Sequence, residues 1–185
     1  MPLCGKLGAL IFERMTPLKT LHRYIWLILA LAVIATLFVS SSMTYKQQTA
    51  VPFLERVLAN EPFKARLSTI HFTYAGDPVS VQESGYFAFV EFFMRKAAHV
   101  TTYFLIGLFA SIGLREFVKP TWLRTVLTIL SAAGLAAFDE FHQMLTGGRQ
   151  PTFDDVMLDT IAATIAVVIV LLVSGLRRRK PVVRR

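Results

Sequence analysis

The stretch that decides the fold is DEFHQMLTGGRQPTFDDVMLD, residues 139–159, which holds five acidic residues, one His and one Arg. Apolar runs flank it at 122–138 and 156–176, and each is long enough to cross a bilayer. Ionisable groups at membrane depth cost free energy unless they face one another or a water-filled cavity. We therefore interpret residues 139–159 as a functional connection between two membrane helices.

The composition is that of an integral membrane protein. Hydrophobic residues make up 54% of the 185-residue chain and charged residues only 17%, whereas soluble domains carry about 25% charged residues. The formal net charge of +8 comes from Lys and Arg at the ends of apolar runs and in the C-terminal tail. That pattern indicates membrane orientation, so we predict no nucleic-acid partner. The single cysteine, Cys4, excludes an internal disulfide and a Cys-based metal cluster.

Apolar runs along the chain predict an all-α membrane protein with four transmembrane helices and a small extracytoplasmic β-hairpin. The predicted spans are about 24–42, 92–115, 122–139 and 156–176, within a membrane domain of residues 24–176. Residues 43–91 form an insertion in that domain. There, Val51, Leu54 and Leu58 predict a short amphipathic helix, and alternating residues on both sides of the turn residues 75–78 predict the hairpin.

The distribution of basic residues predicts the orientation of the chain. Of the 20 Lys and Arg residues, 13 lie in the tail 1–23, in the connection between the second and third spans, and in the tail 177–185. Because the side richer in Lys and Arg is cytoplasmic, both tails are predicted to be cytoplasmic. The insertion 43–91 and the connection between the third and fourth spans are then extracytoplasmic.

Polar residues of three spans are predicted to meet at this extracytoplasmic end. Lys96, His99 and Tyr103 follow the i, i+3, i+7 spacing of one helix stripe. Asp139, His142 and Gln143 share a face if the third helix continues that far, with Glu140 about 100° away, and Asp155 and Asp159 share a face on the fourth. The predicted ligand-binding residues are Lys96, His99, Tyr103, Asp139, Glu140, Gln143, Arg149 and Asp155.

Three functions remain open for this constellation. In the first, Lys96 and Arg149 hold the phosphate of a membrane phospholipid or a lipid-linked cell-wall intermediate. In the second, the protein is an enzyme that acts on such a headgroup, with Asp139 or His142 as the general base. In the third, the ion pairs only clasp the helices together.

Four side chains of this region are also of the types that bind metal ions. Asp139, Glu140, His142 and Asp155 are chemically able to bind a metal ion, but their spacing matches no specific ligand pattern. We therefore predict no metal and no cofactor.

Three segments resemble the VanZ-like family of small bacterial membrane proteins. They are R95-K-A-A-H99 followed by Tyr103, D139-E-F-H-Q143 and R149-Q-P-T-F-D-D155, within a resemblance that covers residues 20–176. The resemblance implies a multi-pass protein of the bacterial cytoplasmic membrane, in a family whose founding member is associated with low-level resistance to the glycopeptide teicoplanin. Asp159 and Ala162 replace the Asn and Gly that are common in the family, which predicts a looser contact of the fourth helix.

Overall fold

The computed structural model describes residues 24–146 and 151–178. In chain order the elements are α1 Tyr24–Ser41, α2 Tyr45–Gln48, α3 Val51–Val57, α4 Lys64–Leu67, β1 His71–Tyr74, β2 Asp77–Ser80, α5 Val81–Ser84, α6 Tyr86–Gly113, a 3-10 turn Leu114–Glu116, α7 Thr121–Thr146 and α8 Phe153–Arg178. Helices α1, α6, α7 and α8 are long and apolar enough to cross a membrane. The predicted all-α membrane fold with four spans is therefore confirmed.

Three of these helices extend beyond their predicted limits. Helix α6 begins at Tyr86 rather than 92, because Gly85, with φ of +81°, turns the chain directly from α5 into it. Helix α7 continues past 139 to Thr146, because the polar residues of its last two turns are buried against partners. Helix α8 begins at Phe153 rather than 156, where the Thr152 hydroxyl accepts a hydrogen bond from the backbone N–H of Asp155.

The core of the bundle is the packing of α6 and α7 against α8. At Gly107 of α6, an added Cβ would lie 2.6 Å from the carbonyl oxygen of Ala163 on α8. Ala162, Ala163 and Ala166 are all buried, so α8 meets its neighbours through small side chains. The looser contact expected from Ala162 is not seen, because Gly107 supplies the close approach from the opposite helix.

Helix α1 contributes least to the core. Only 11% of this span is buried, against 22–33% of the other three. The side chains that do become buried, Ala30, Leu37 and Ser41, lie about one or two turns apart on one side of the helix. Helix α1 therefore lies at the edge of the bundle.

The predicted hairpin and amphipathic helix are both present between α1 and α6. Strands β1 and β2 pair antiparallel around Ala75 and Gly76, whose φ angles of +53° and +88° are those of a type I′ turn. Helix α3 buries Leu54 and exposes its other face. The ring of Tyr74 lies 5.4 Å from that of Phe92 on α6, so the hairpin rests on the membrane domain. We call this end of the bundle the hairpin end.

Candidate functional site

Two polar pairs join α6 to α8 at the hairpin end. Lys96 Nζ forms an ion pair with Asp155 Oδ1. One turn further along, His99 Nδ1 lies 3.1 Å from Asp159 Oδ2. The spacing of three residues on α6 matches the spacing of four on α8, so successive turns of the two helices face each other. The predicted stripe on α6 thus faces α8.

The first pair is completed by the hairpin. Tyr74 Oη donates a hydrogen bond of 2.5 Å to Asp155 Oδ1, and Lys96 Nζ lies 4.3 Å from the centre of the Tyr74 ring. Burial raises the pKa of the Tyr74 hydroxyl, and its bond to Asp155 raises that pKa further, so it remains a donor. We call Lys96, Asp155 and Tyr74 the hairpin clasp. Each of its charged groups has an opposite charge or a hydrogen bond as partner.

The last turns of α7 carry two buried carboxylates that are tied to neighbouring elements. Asp139, 4% exposed, accepts hydrogen bonds from Ser41 Oγ of α1 and, at 2.7 Å, from Gln143 Nε2. Glu140, 5% exposed, accepts one of 3.0 Å from the backbone N–H of Thr152. The predicted convergence of three spans therefore includes α1 as well.

These carboxylates meet the second α6–α8 pair in one place. His99, Asp139 and Glu140 each offer a ligand-type atom, and the three atoms lie within 4.8 Å of one another. Tyr103 Oη and Asp159 Oδ1 are buried and have no hydrogen-bond partner within the described residues. We call His99, Tyr103, Asp139, Glu140 and Asp159 the buried cluster. In contrast to the hairpin clasp, it has polar atoms left unsatisfied.

His142 does not belong to this cluster. Its ring stacks on Phe38 of α1, with ring centres 4.7 Å apart. With about 100° per residue, Gln143 and Glu140 follow Asp139 by about 40° and 100°, whereas His142 precedes it by about 60°. Asp139 and His142 line one pocket against α1, and Gln143 bonds Asp139, whereas Glu140 lies close to His99. The role of Asp139 or His142 as a general base stays a prediction.

A cavity of about 620 Å³ lies between α1 and α6, beside the buried cluster. Its wall at the hairpin end is polar, with Ser40, Ser41, Gln48, Glu91, Arg95, His99 and Gln143. Its deeper wall is apolar, with Leu29, Val33, Leu37 and Leu105. Leu29 and Ser41 are twelve residues apart on α1, a rise of about 18 Å, so the cavity follows much of one span.

The charged pair in this wall, Glu91 and Arg95, was not among the site residues predicted from the sequence. Glu91, 2% exposed, accepts hydrogen bonds from the backbone N–H of Ala50 at 2.9 Å and from Arg95 Nη2 at 3.0 Å. The Arg95 guanidinium also lies 4.2 Å from the centre of the Tyr45 ring. Two opposite charges at i, i+4 inside an otherwise apolar run were the signal that could have identified them.

The predicted ligand-binding residues are thus distributed over three places. His99 and Gln143 line the cavity, and His99 also belongs to the buried cluster. Lys96 and Asp155 belong to the hairpin clasp. Tyr103, Asp139 and Glu140 lie in the buried cluster behind the cavity wall. Arg149 and the two predicted tails, apart from residues 177 and 178 in α8, lie outside the described residues.

Comparison with known proteins agrees with the membrane fold. The family model described as VanZ/LLP1 matches residues 26–174, which include all of α6, α7 and the buried cluster. No curated protein and no solved structure matches the chain.

Proposed function

Since the chain belongs to the VanZ/LLP1 family, we propose that this multi-pass membrane protein binds an anionic lipid of the bacterial envelope. The single observation that carries the proposal is the cavity between α1 and α6. Its volume of about 620 Å³ is within the range of ligand pockets, about 300–1,000 Å³. Its polar end suits a headgroup, and its apolar depth suits an acyl or polyprenyl chain.

Arg95 is the residue that we expect to hold the headgroup. A guanidinium has a planar fork of donors that suits phosphate, and Glu91 fixes this one through Nε and Nη2. Arg95 Nη1 has no hydrogen bond within the described residues and is available to a ligand. Gln48 and His99 in the same wall add further hydrogen-bonding groups.

Helix α1 is the element that would admit the lipid. It is the least buried span, and Leu29, Ala32 and Thr36 of the cavity wall are partly exposed at the edge of the bundle. A lipid is therefore able to enter from the bilayer without crossing the packed contact of α6, α7 and α8.

We place the polar end of the cavity on the extracytoplasmic side of the cytoplasmic membrane, with both termini inside. The excess of Lys and Arg in the segments at the opposite end supports this orientation. A lipid-linked cell-wall intermediate is exposed on that face, and binding one would fit the association of the family's founding member with glycopeptide resistance. A phospholipid offers the same phosphate chemistry, so the test includes both.

Photocrosslinking in membranes tests the proposal, with one diazirine probe based on phosphatidylglycerol and one on a polyprenyl pyrophosphate. Arg95→Gln should reduce labelling about 10-fold or more, because a hydrogen bond to a charged group contributes about 1.5–3 kcal/mol. Ala32→Trp should block labelling by filling the cavity. Preference for one probe identifies the lipid class.

Matched variants control for nonspecific effects. Arg56→Gln changes an exposed arginine of α3, and Ile161→Trp adds an indole to the outer face of α8. Both should label like the original protein. Arg149→Ala tests the separate prediction that this residue holds phosphate. Equal labelling of the original protein, Arg95→Gln and Ala32→Trp would refute lipid binding in this cavity.

A further inference from the structure

We propose that the buried cluster is a binding site for a divalent transition-metal ion, with His99, Asp139 and Glu140 as ligands. The class of ion is that of Zn²⁺ or Mn²⁺. The site shares His99 with the cavity wall, and its other two ligands lie behind that wall, so binding of the ion does not require the lipid proposed above. The sequence pattern predicted no metal, because these ligands come from two helices and form no spaced motif.

The distances fit a single ion. Ligands bound at about 2.1 Å lie within about 4.3 Å of one another. One atom from each of the three side chains already lies within 4.8 Å of the other two. Binding of one ion therefore requires these atoms to move closer together, which we expect from rotation of the side chains.

The charge of the cluster calls for a cation. Asp139 and Glu140 are 4% and 5% exposed, and neither forms an ion pair with a Lys or Arg of the described residues. A buried carboxylate without an ion-pair partner has a desolvation cost of several kcal/mol, which the hydrogen bonds to Asp139 and Glu140 offset only in part. An ion held between the two carboxylates removes that penalty for both at once.

Two further buried polar atoms, on residues that neighbour His99, have no hydrogen-bond partner within the described residues. Tyr103 is 0% exposed, and its hydroxyl has no hydrogen bond within the described part of the chain. Tyr103 follows His99 by four residues on α6, so the two side chains lie on the same face of that helix. Asp159, 1% exposed, leaves Oδ1 without a partner in the same way. An ion with bound water would supply the missing hydrogen bonds to both atoms.

Each proposed ligand is also oriented by a second group. His99 Nδ1 faces Asp159 Oδ2 at 3.1 Å, which leaves Nε2 for the ion in the carboxylate–histidine–metal arrangement common to metalloproteins. Ser41 and Gln143 hold Asp139, and the backbone N–H of Thr152 holds Glu140. Such prior orientation is typical of metal ligands and is not needed in a simple ion pair.

The ligand set defines the class of ion. One imidazole with two carboxylates suits Zn²⁺ and Mn²⁺, whereas Ca²⁺ and Mg²⁺ prefer oxygen ligands alone. The site contains no thiolate that would favour copper(I) or an iron–sulfur cluster.

The test uses the full chain, purified in detergent with a tag that contains no histidine and stripped with a chelator. Titration with MnCl₂, followed by electron paramagnetic resonance, should give one bound Mn²⁺ per chain that ZnCl₂ displaces. Pulsed measurements should show coupling of this Mn²⁺ to one imidazole nitrogen. Labelling of histidine with ¹⁵N should change that coupling in the unmutated protein, so this readout does not require a variant to fold.

Variants then assign the ligands. Glu140→Gln, which preserves the shape of the side chain, should weaken Mn²⁺ binding about 10-fold or more. His99→Gln should also abolish the nitrogen coupling. His71→Gln changes the exposed histidine of β1 and should do neither. Absence of bound Mn²⁺ and Zn²⁺, absence of imidazole coupling, or unchanged binding in Glu140→Gln would overturn the proposal.

Discussion

The hairpin clasp and the buried cluster lie one helical turn apart, yet only the charges of the clasp are compensated by an ion pair with a Lys of the described chain. In the clasp, Lys96 and Asp155 neutralise each other, and Tyr74 adds a hydrogen bond. The cluster brings Asp139 and Glu140 together without a Lys or Arg partner in the described chain. Both contain an α6–α8 pair, so the number of pairs alone does not distinguish stability from function.

The hairpin clasp and the buried cluster differ in whether buried polar atoms lack hydrogen-bond partners. A closed ion pair that keeps some solvent exposure, 22% for the Lys96 side chain and 14% for Asp155, holds helices together and needs nothing else. Buried polar atoms without partners are costly and are retained where a ligand satisfies them. We therefore expect the clasp to control stability and the cluster to control ligand binding.

Removal of the clasp lysine should have the largest effect on stability. Lys96→Ala leaves Asp155 partly buried without its cation, and we expect a loss of about 3 kcal/mol in the free energy of unfolding in detergent. Unfolding by denaturant, followed by tryptophan fluorescence, measures this loss. Lys64→Ala breaks the exposed pair with Glu61 and should cost less than about 1 kcal/mol. Equal effects of the two variants would show that the clasp is not a structural pair.

A smaller loss should follow from forcing α6 and α8 apart. Gly107→Ala places a methyl group 2.6 Å from the carbonyl oxygen of Ala163, and overpacking of this kind costs about 1–3 kcal/mol. Since Gly107 lies on the helix that carries both pairs, this variant should lower stability and metal affinity together. Gly134→Ala on α7 meets nothing within 4 Å and should be neutral or stabilising. Equal thermal stability of the two variants would contradict the close helix contact.

The sequence predicted the coarse features of both regions because each rests on local physics. Apolar length fixed the spans, turn residues fixed the hairpin, and helical spacing placed Lys96, His99 and Tyr103 on one stripe. None of these local patterns predicted that Arg95, which lies about 100° around α6 from Lys96, lines the cavity. Whether Arg95 lines the cavity depends on where α1 and the segment from α2 to α3 pack against α6, which no local sequence pattern encodes.

The buried cluster was also only partly predicted from the sequence. Helical spacing predicted Asp139, His142 and Gln143 on one face of α7, with Glu140 about 100° away. Phe38 of α1 stacks on His142 and thereby leaves Glu140 to face His99. Which of these side chains lies close to His99 depends on contacts between helices, which helical spacing alone does not encode.

The smallest change in stability should come from Asp159→Asn. This variant should also distinguish most clearly between the roles of the hairpin clasp and the buried cluster. The amide retains the shape of the side chain and a hydrogen bond to His99, and it removes a buried charge whose Oδ1 has no partner in the described chain. Stability should therefore change by no more than about 1 kcal/mol. Mn²⁺ affinity should fall about 10–100-fold, the usual effect of losing a carboxylate that orients a metal-bound histidine.

Asp154→Asn is the matched control, since Asp154 lies on the same helix but bonds the backbone N–H of Ala75 in the hairpin. It should leave Mn²⁺ affinity unchanged. A loss of stability in Asp159→Asn as large as that in Lys96→Ala, with unchanged Mn²⁺ affinity, would mean that the second α6–α8 pair is also a clasp. Loss of Mn²⁺ affinity with unchanged stability would instead show that two adjacent turns of the same helices have different roles. One turn stabilises the fold, and the other binds an ion.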